Sequence, residues 1–125
     1  MAWRTCYTAT VNGRQIVVRH RTPDPDEMAL HLSMSLDWYT GYVEVLPTDG
    51  IDAEDYERYD SEIEAPGGLT FGGSLNEYPD QQFLGFDTAH WGMEGYTMAD
   101  AINGTAKMQR DIEKYREQHG KESEN

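Results

Sequence analysis

The chain has 125 residues, 38% of them hydrophobic and 11% aromatic, and a formal charge of −13. That length supports one domain with a modest core, built more from Trp, Tyr and Phe than from aliphatic side chains. The charge argues against direct binding to nucleic acid or anionic membrane, and one cysteine, Cys6, excludes an internal disulfide or a multi-cysteine zinc site.

No segment approaches the roughly 18 apolar residues of a membrane span, and the first residues lack an apolar leader core, so a cytoplasmic protein is expected. Charge is unevenly spread. Residues 1–23 carry Arg4, Arg14, Arg19 and Arg21 and no acid, whereas residues 24–64 hold most of the acids against Arg58 alone. The basic start and acidic middle are expected to meet across a sheet.

Thr5–Val11 and Arg14–His20 are rich in β-branched and aromatic residues and flank Asn12-Gly13. Asn-Gly supplies the two positive φ angles of a type I′ turn, so the segment predicts a β-hairpin with arginines decorating its second strand. Thr22-Pro-Asp-Pro-Asp-Glu27 ends that strand, because proline removes ladder donors. Met28, Leu30, Leu32, Met34, Leu36 and Trp38 then alternate with small or polar residues. Period 2 predicts a short helical turn followed by a strand from about residue 30, with a helix through Trp38 as the alternative.

Trp38–Gly41 reads as a turn, Gly41–Leu46 as a strand stopped by Pro47, and Thr48–Gly50 as another turn. Ile51–Asp60 is acidic, with a helical turn docked by Tyr56 and Tyr59 expected within it. Asp49, Asp52, Glu54, Asp55, Glu57 and Asp60 crowd together without compensating bases. Their spacing does not match a calcium loop. Ser61–Ala65 reads as a short strand. Pro66-Gly67-Gly68 forces irregular backbone, Leu69–Phe71 resumes extended structure, Gly72–Ser74 leaves it, and Leu75–Gln82 reads as a polar loop. Phe83–Phe86 is a buried strand, and Asp87 and His90 follow at its end.

Thr97 with Asp100 opens a helix as a capping box. Met98, Ala101, Ile102, Thr105, Met108, Ile112 and Tyr115 form one apolar stripe, with Lys107, Arg110, Asp111 and Glu113 opposite. Gly104 weakens the helix and marks a close approach to the sheet. The expected architecture is α+β: a twisted antiparallel sheet of about five or six strands, with the C-terminal amphipathic helix on one face. Residues 1–120 are expected to form one domain and residues 121–125 a frayed tail.

Gly41-Tyr-Val-Glu-Val45, Gly67-Gly-Leu-Thr-Phe-Gly-Gly73 and Phe83-Leu-Gly-Phe-Asp-Thr-Ala-His-Trp-Gly92 together resemble a family of small bacteriophage and prophage proteins. Its pattern is a Gly-Tyr-Val strand, His-Gly-Gly-Leu-Thr-Phe/Tyr-Ser-Gly, and Gly-Phe-Asp-Cys/Thr-Ala-His-x-Gly-Asp. The resemblance implies a phage accessory protein made in the bacterial cytoplasm. This chain departs from the pattern at Pro66, where the family has histidine, and at Met93, where it has an acid; Glu94 stands one step later.

Two functional expectations follow. The first is a non-enzymatic protein that binds a basic host protein through Asp52, Glu54, Asp55 and Glu57, as in counter-defence or polyanion mimicry of nucleic acid. The second is a nucleotide-like ligand site, or a weak hydrolase, at Thr70, Phe71, Phe86, Asp87, His90 and Trp91. In the hydrolase, Asp87 would orient His90 as a general base. Neither expectation calls for a metal or cofactor, since Asp87, His90 and one distant histidine make a poor zinc site.

Overall fold

A computed structural model describes residues 2–22, 38–88 and 97–119. Strand β1 (Ala2–Val11) turns at Asn12-Gly13 into β2 (Arg14–Thr22). Asn12 has φ 53° and Gly13 φ 80°, the double positive-φ turn that the Asn-Gly pair predicts. Strand β3 is Trp38–Val45, β4 is Phe71–Leu75 and β5 is Tyr78–Asp87. The five strands lie in the order β1-β2-β3-β5-β4, each pair antiparallel.

Helix α1 (Met98–His119) covers one face. Its start is fixed as the sequence predicts. The Thr97 N–H donates to Asp100 Oδ2 at 3.0 Å, and the Asp100 N–H donates to Thr97 Oγ1 at 3.1 Å. Ala101, Met108 and Ile112 meet Ile16, Val18, Val43, Val45, Leu84 and Phe86 in the main core. The other face of the sheet carries a smaller cluster of Val17, Leu75 and Phe83, with Tyr42, Phe71 and Tyr78 against it. One strand set therefore serves two cores because its side chains alternate between faces.

The helix seats in a notch made by two glycines. A Cβ on Gly41 would lie 2.5 Å from the Phe86 ring and 2.7 Å from Thr105 Cγ2, and one on Gly104 would lie 2.6 Å from Pro66 Cγ. Phe86 is the cross-strand partner of Gly41, so its ring fills the space a side chain would take.

Several expectations are corrected. Trp38–Gly41 is the start of β3 rather than a turn, because pairing to Arg21, His20, Arg19 and Val18 holds it extended. Ser61–Ala65 is not a strand; it is a turn and irregular segment held to the helix by the Glu64 N–H, which donates to Asp111 Oδ2 at 2.9 Å. Gly72–Ser74 and the greater part of Leu75–Gln82 belong to a β4–β5 hairpin turning at Asn76-Glu77. Met98, placed on the apolar stripe, is 39% exposed at the first turn. Asp111, assigned to the outer face, is buried, and it also accepts from Lys107 Nζ at 2.8 Å. The alternating segment from Met28 to Leu36 lies outside the described residues.

Candidate functional site

Between β3 and β4 the chain makes two short 3-10 helices, Pro47–Asp49 and Ala53–Tyr59, which sort the acidic residues into different roles. Asp49 is wholly buried. Arg14 donates to it twice, at 2.5 and 2.7 Å, and also donates to the Glu44 carbonyl at 3.2 Å. Asp49 Oδ2 further accepts from the Leu46 N–H at 2.7 Å. Glu113 on the helix lies 3.5 Å from Arg14 Nε and accepts from the Asn12 side chain. Burial alone would lower the Arg14 pKa, but Asp49 and Glu113 outweigh it and push it above the ordinary value. Arg14 is thus not a surface decoration, and Asp49 does not belong to an uncompensated acidic crowd. Here the basic start and the acidic middle meet, with both side chains wholly buried.

Asp60 and Asp52 are used locally. Asp60 Oδ1 accepts from the Leu69 N–H at 2.8 Å, and Asp52 Oδ1 caps the second 3-10 helix by accepting from the Glu54 N–H at 3.2 Å. That helix is anchored by Ala53 and Tyr59, both buried, with the Tyr59 hydroxyl accepting from the Asp52 N–H at 3.0 Å. Tyr59 and Tyr56 dock it as expected, Tyr56 only half-buried. A Cβ on Gly72 of β4 would lie 1.6 Å from the Ala53 carbonyl oxygen, so the segment rests directly on the strand. Asp52, Glu54, Asp55 and Glu57 remain exposed on its outer side. Arg58 follows them, its guanidinium 5.6 Å from the Tyr59 ring centroid.

The other candidate lies on the sheet face away from α1. A cleft of about 280 Å³ is lined by Trp38, Thr40, Tyr42, Thr70, Phe71, Phe86 and Asp87. Three of the predicted ligand residues, Thr70, Phe71 and Asp87, come together there, whereas Phe86 borders the cleft with its ring turned to the opposite face, packed in the main core beside Gly41 and α1 and not placed to stack a ligand. His90 and Trp91, with Met93 and Glu94, lie outside the described residues. Asp87 Oδ2 accepts from Thr70 Oγ1 at 3.2 Å.

Thr40, Tyr42 and Trp38 were not predicted as site residues. Their signal was the alternation Trp38-x-Thr40-x-Tyr42, which puts three side chains on one face once the segment is known to be a strand. Tyr42 covers Gly85, where a Cβ would fall 2.6 Å from the ring, and meets Phe71 edge-on at 5.3 Å between centroids. The Arg19 guanidinium lies 5.4 Å from the Tyr42 centroid and pairs with Glu77.

Thr40 stands directly across from Asp87 in the ladder, 5% exposed. Its hydroxyl makes no hydrogen bond. A buried unsatisfied hydroxyl costs about 1–3 kcal/mol. Among the described residues only Arg14 Nε and Arg19 Nε share this condition, and neither residue lines the cleft.

Among the described residues no group of three His, Cys, Asp or Glu side chains is placed to hold a metal ion, and no helix is long and apolar enough to cross a membrane. No protein family, curated protein or solved structure matches the chain.

Proposed function

We propose that the chain is a non-enzymatic binding protein that presents its acidic 3-10 segment to a basic protein surface. The observation that carries this reading is the placement of Asp52, Glu54, Asp55 and Glu57. All four are exposed, on a short helix whose Ala53 and Tyr59 are locked into the core. A charged surface held on a fixed platform loses little conformational freedom on binding, and its field steers a basic partner toward it. The net charge of −13 extends that field over the molecule and disfavours nucleic acid as the partner. Following the resemblance of the glycine-rich segments, the setting is a phage or prophage accessory protein acting on a host component in the bacterial cytoplasm, with the acidic surface standing in for a polyanion.

Capture of host proteins on the immobilised chain tests this. A basic partner retained at low salt and released steeply as salt rises is the expected result, since exposed charges are screened over about 8–10 Å at physiological ionic strength. The combined variant D52N/E54Q/D55N/E57Q removes four negative charges without altering a buried group. Retained affinity in that variant would reject the reading.

A further inference from the structure

We propose that the cleft around Thr40 binds the planar base of a nucleoside or nucleotide. This goes beyond the acidic-surface reading and does not depend on it.

The walls are aromatic: Trp38 and Tyr42 from β3 and Phe71 from β4. The polar groups are set as an opposed pair, Thr40 on β3 facing Asp87 on β5 in register. Thr70 fixes the carboxylate through its own hydrogen bond. A volume of about 280 Å³ sits at the small end of ligand pockets, enough for one ring system rather than a dinucleotide. Flat aromatic walls suit a π-face, which every base presents.

The edge chemistry narrows the class. Asp87 is an acceptor when ionised, and the Thr40 hydroxyl both donates and accepts. A ligand edge with an amino group beside a ring nitrogen satisfies both, donating N–H to Asp87 and accepting the Thr40 O–H. Adenine and cytosine carry that edge. A guanidinium or ammonium offers donors alone and would leave the Thr40 proton unsatisfied. Thr40 is the decisive residue because it is buried, lines the cleft and its hydroxyl has no hydrogen-bond partner among the described residues.

The test is a heteronuclear NMR titration of the full chain with adenosine, cytidine, uridine, adenosine monophosphate and arginine amide. The expected result is saturable shifts at the Thr40, Phe71 and Asp87 amides with adenosine or cytidine, and weaker binding of uridine. Equal binding of adenosine and its monophosphate assigns the free nucleoside, and tighter binding of the monophosphate assigns the nucleotide; both support the proposal. Thr40→Val should weaken binding about tenfold, the loss of one hydrogen bond of roughly 1.4 kcal/mol. It should not lower the melting temperature, because the hydroxyl has no bond to lose within the protein. Thr40→Ser, which keeps the hydroxyl, should retain binding. The proposal is overturned if no base gives saturable shifts at the cleft, if Thr40→Val binds as well as the native chain, or if arginine amide binds the cleft more tightly than adenosine and cytidine.

Discussion

The guanidinium of Arg14 and the carboxylate of Asp49 form a two-point pair with both side chains wholly buried. It joins the start of β2 to the first 3-10 helix, residues 35 apart in sequence. Desolvating two charges costs several kcal/mol each, so the pair is not a simple gain in stability. Its partners show how the cost is offset. Arg14 also donates to the Glu44 carbonyl, and Asp49 also accepts from the Leu46 N–H.

Removing one member should therefore be far worse than removing both. Asp49→Ala leaves a buried guanidinium whose remaining acid, Glu113, stands 3.5 Å from Nε, and a loss of about 3–5 kcal/mol is expected. Arg14→Met combined with Asp49→Leu should recover most of that loss. Urea denaturation of the native chain and the two variants measures both numbers. If the double variant is as unstable as the single one, the site depends on the pair itself and not on avoiding an unpaired charge.

Acidification should expose a second set of charges. Burial alone would raise Glu113, but hydrogen bonds from Asn12 and Gln109, with the Arg14 charge, hold it below the ordinary carboxylate value. Asp111 behaves alike: burial opposes its charge, and Lys107 and the Glu64 N–H more than compensate. A pKa depressed by folding gives stability that is fully present above the unfolded value and is lost as pH falls through the folded one. The window thus opens near the ordinary carboxyl values of 4.5 for Glu113 and 3.8 for Asp111 and continues downward. Relief of self-repulsion among the other acids works in the opposite direction. Comparing the native chain with E113Q/D111N cancels that shared term. The stability difference should shrink steadily as pH drops below 4.5, the upper of those two values, and a constant difference would contradict the assignment.

Gly104 sets helix propensity against packing. Alanine is the better helix former by about 1 kcal/mol, whereas overpacking costs about 1–3 kcal/mol. The added Cβ would lie 2.6 Å from Pro66 Cγ and 3.1 Å from the Phe86 ring, so packing should win and Gly104→Ala should destabilise. Pro66→Ala in the same chain removes the nearest obstacle. A double-mutant cycle by thermal or urea unfolding should show positive coupling between the two positions.

What the sequence made legible was local. The Asn12-Gly13 hairpin and the Thr97/Asp100 cap each depend on residues within a few positions of one another, and both form as expected. The β4–β5 hairpin was hidden because its evidence is tertiary. Gly72-Gly73 reads as a chain break, yet Gly72 is glycine because the Ala53 carbonyl lies against it. Pro79 argues against a strand, yet it lies beyond Gln82, the last β5 residue that pairs with β3, where a missing ladder donor is tolerated. Asp49 could not be told from its exposed neighbours, since its partner comes from the far hairpin. In the cleft, Thr70, Phe71 and Asp87 had been singled out from their close spacing, whereas Phe86, singled out with them, turns its ring into the main core. Thr40 and Tyr42 were not singled out, because a segment read as a turn has no faces to compare.

The acids themselves should separate into two classes on substitution. Asp60→Asn weakens the carboxylate bond that holds the Leu69 N–H, and a hydrogen bond to a charged group is worth about 1.5–3 kcal/mol. Glu57→Gln touches only solvent-facing charge and should change stability by no more than about 0.5 kcal/mol. Thermal unfolding of the two single variants checks the ranking. Equal losses would mean that the exposed acids, too, are structural.

The platform beneath the acidic segment gives a test of function that alters no charge. A methyl group at Gly72 would fall 1.6 Å from the Ala53 carbonyl oxygen and 3.0 Å from Tyr56 Cβ. Backbone on backbone cannot yield as a side-chain tip can, so the second 3-10 helix must lift from β4 in Gly72→Ala. A stability loss at or above the roughly 1–3 kcal/mol of ordinary overpacking is expected. Because Asp52, Glu54, Asp55 and Glu57 ride on that helix, binding to the basic partner should also weaken, through a higher dissociation rate, while the charge stays at −13. Measuring dissociation by surface plasmon resonance, at a temperature where circular dichroism shows the variant folded, isolates the effect. An unchanged dissociation rate would mean that charge alone, without its fixed placement, recruits the partner.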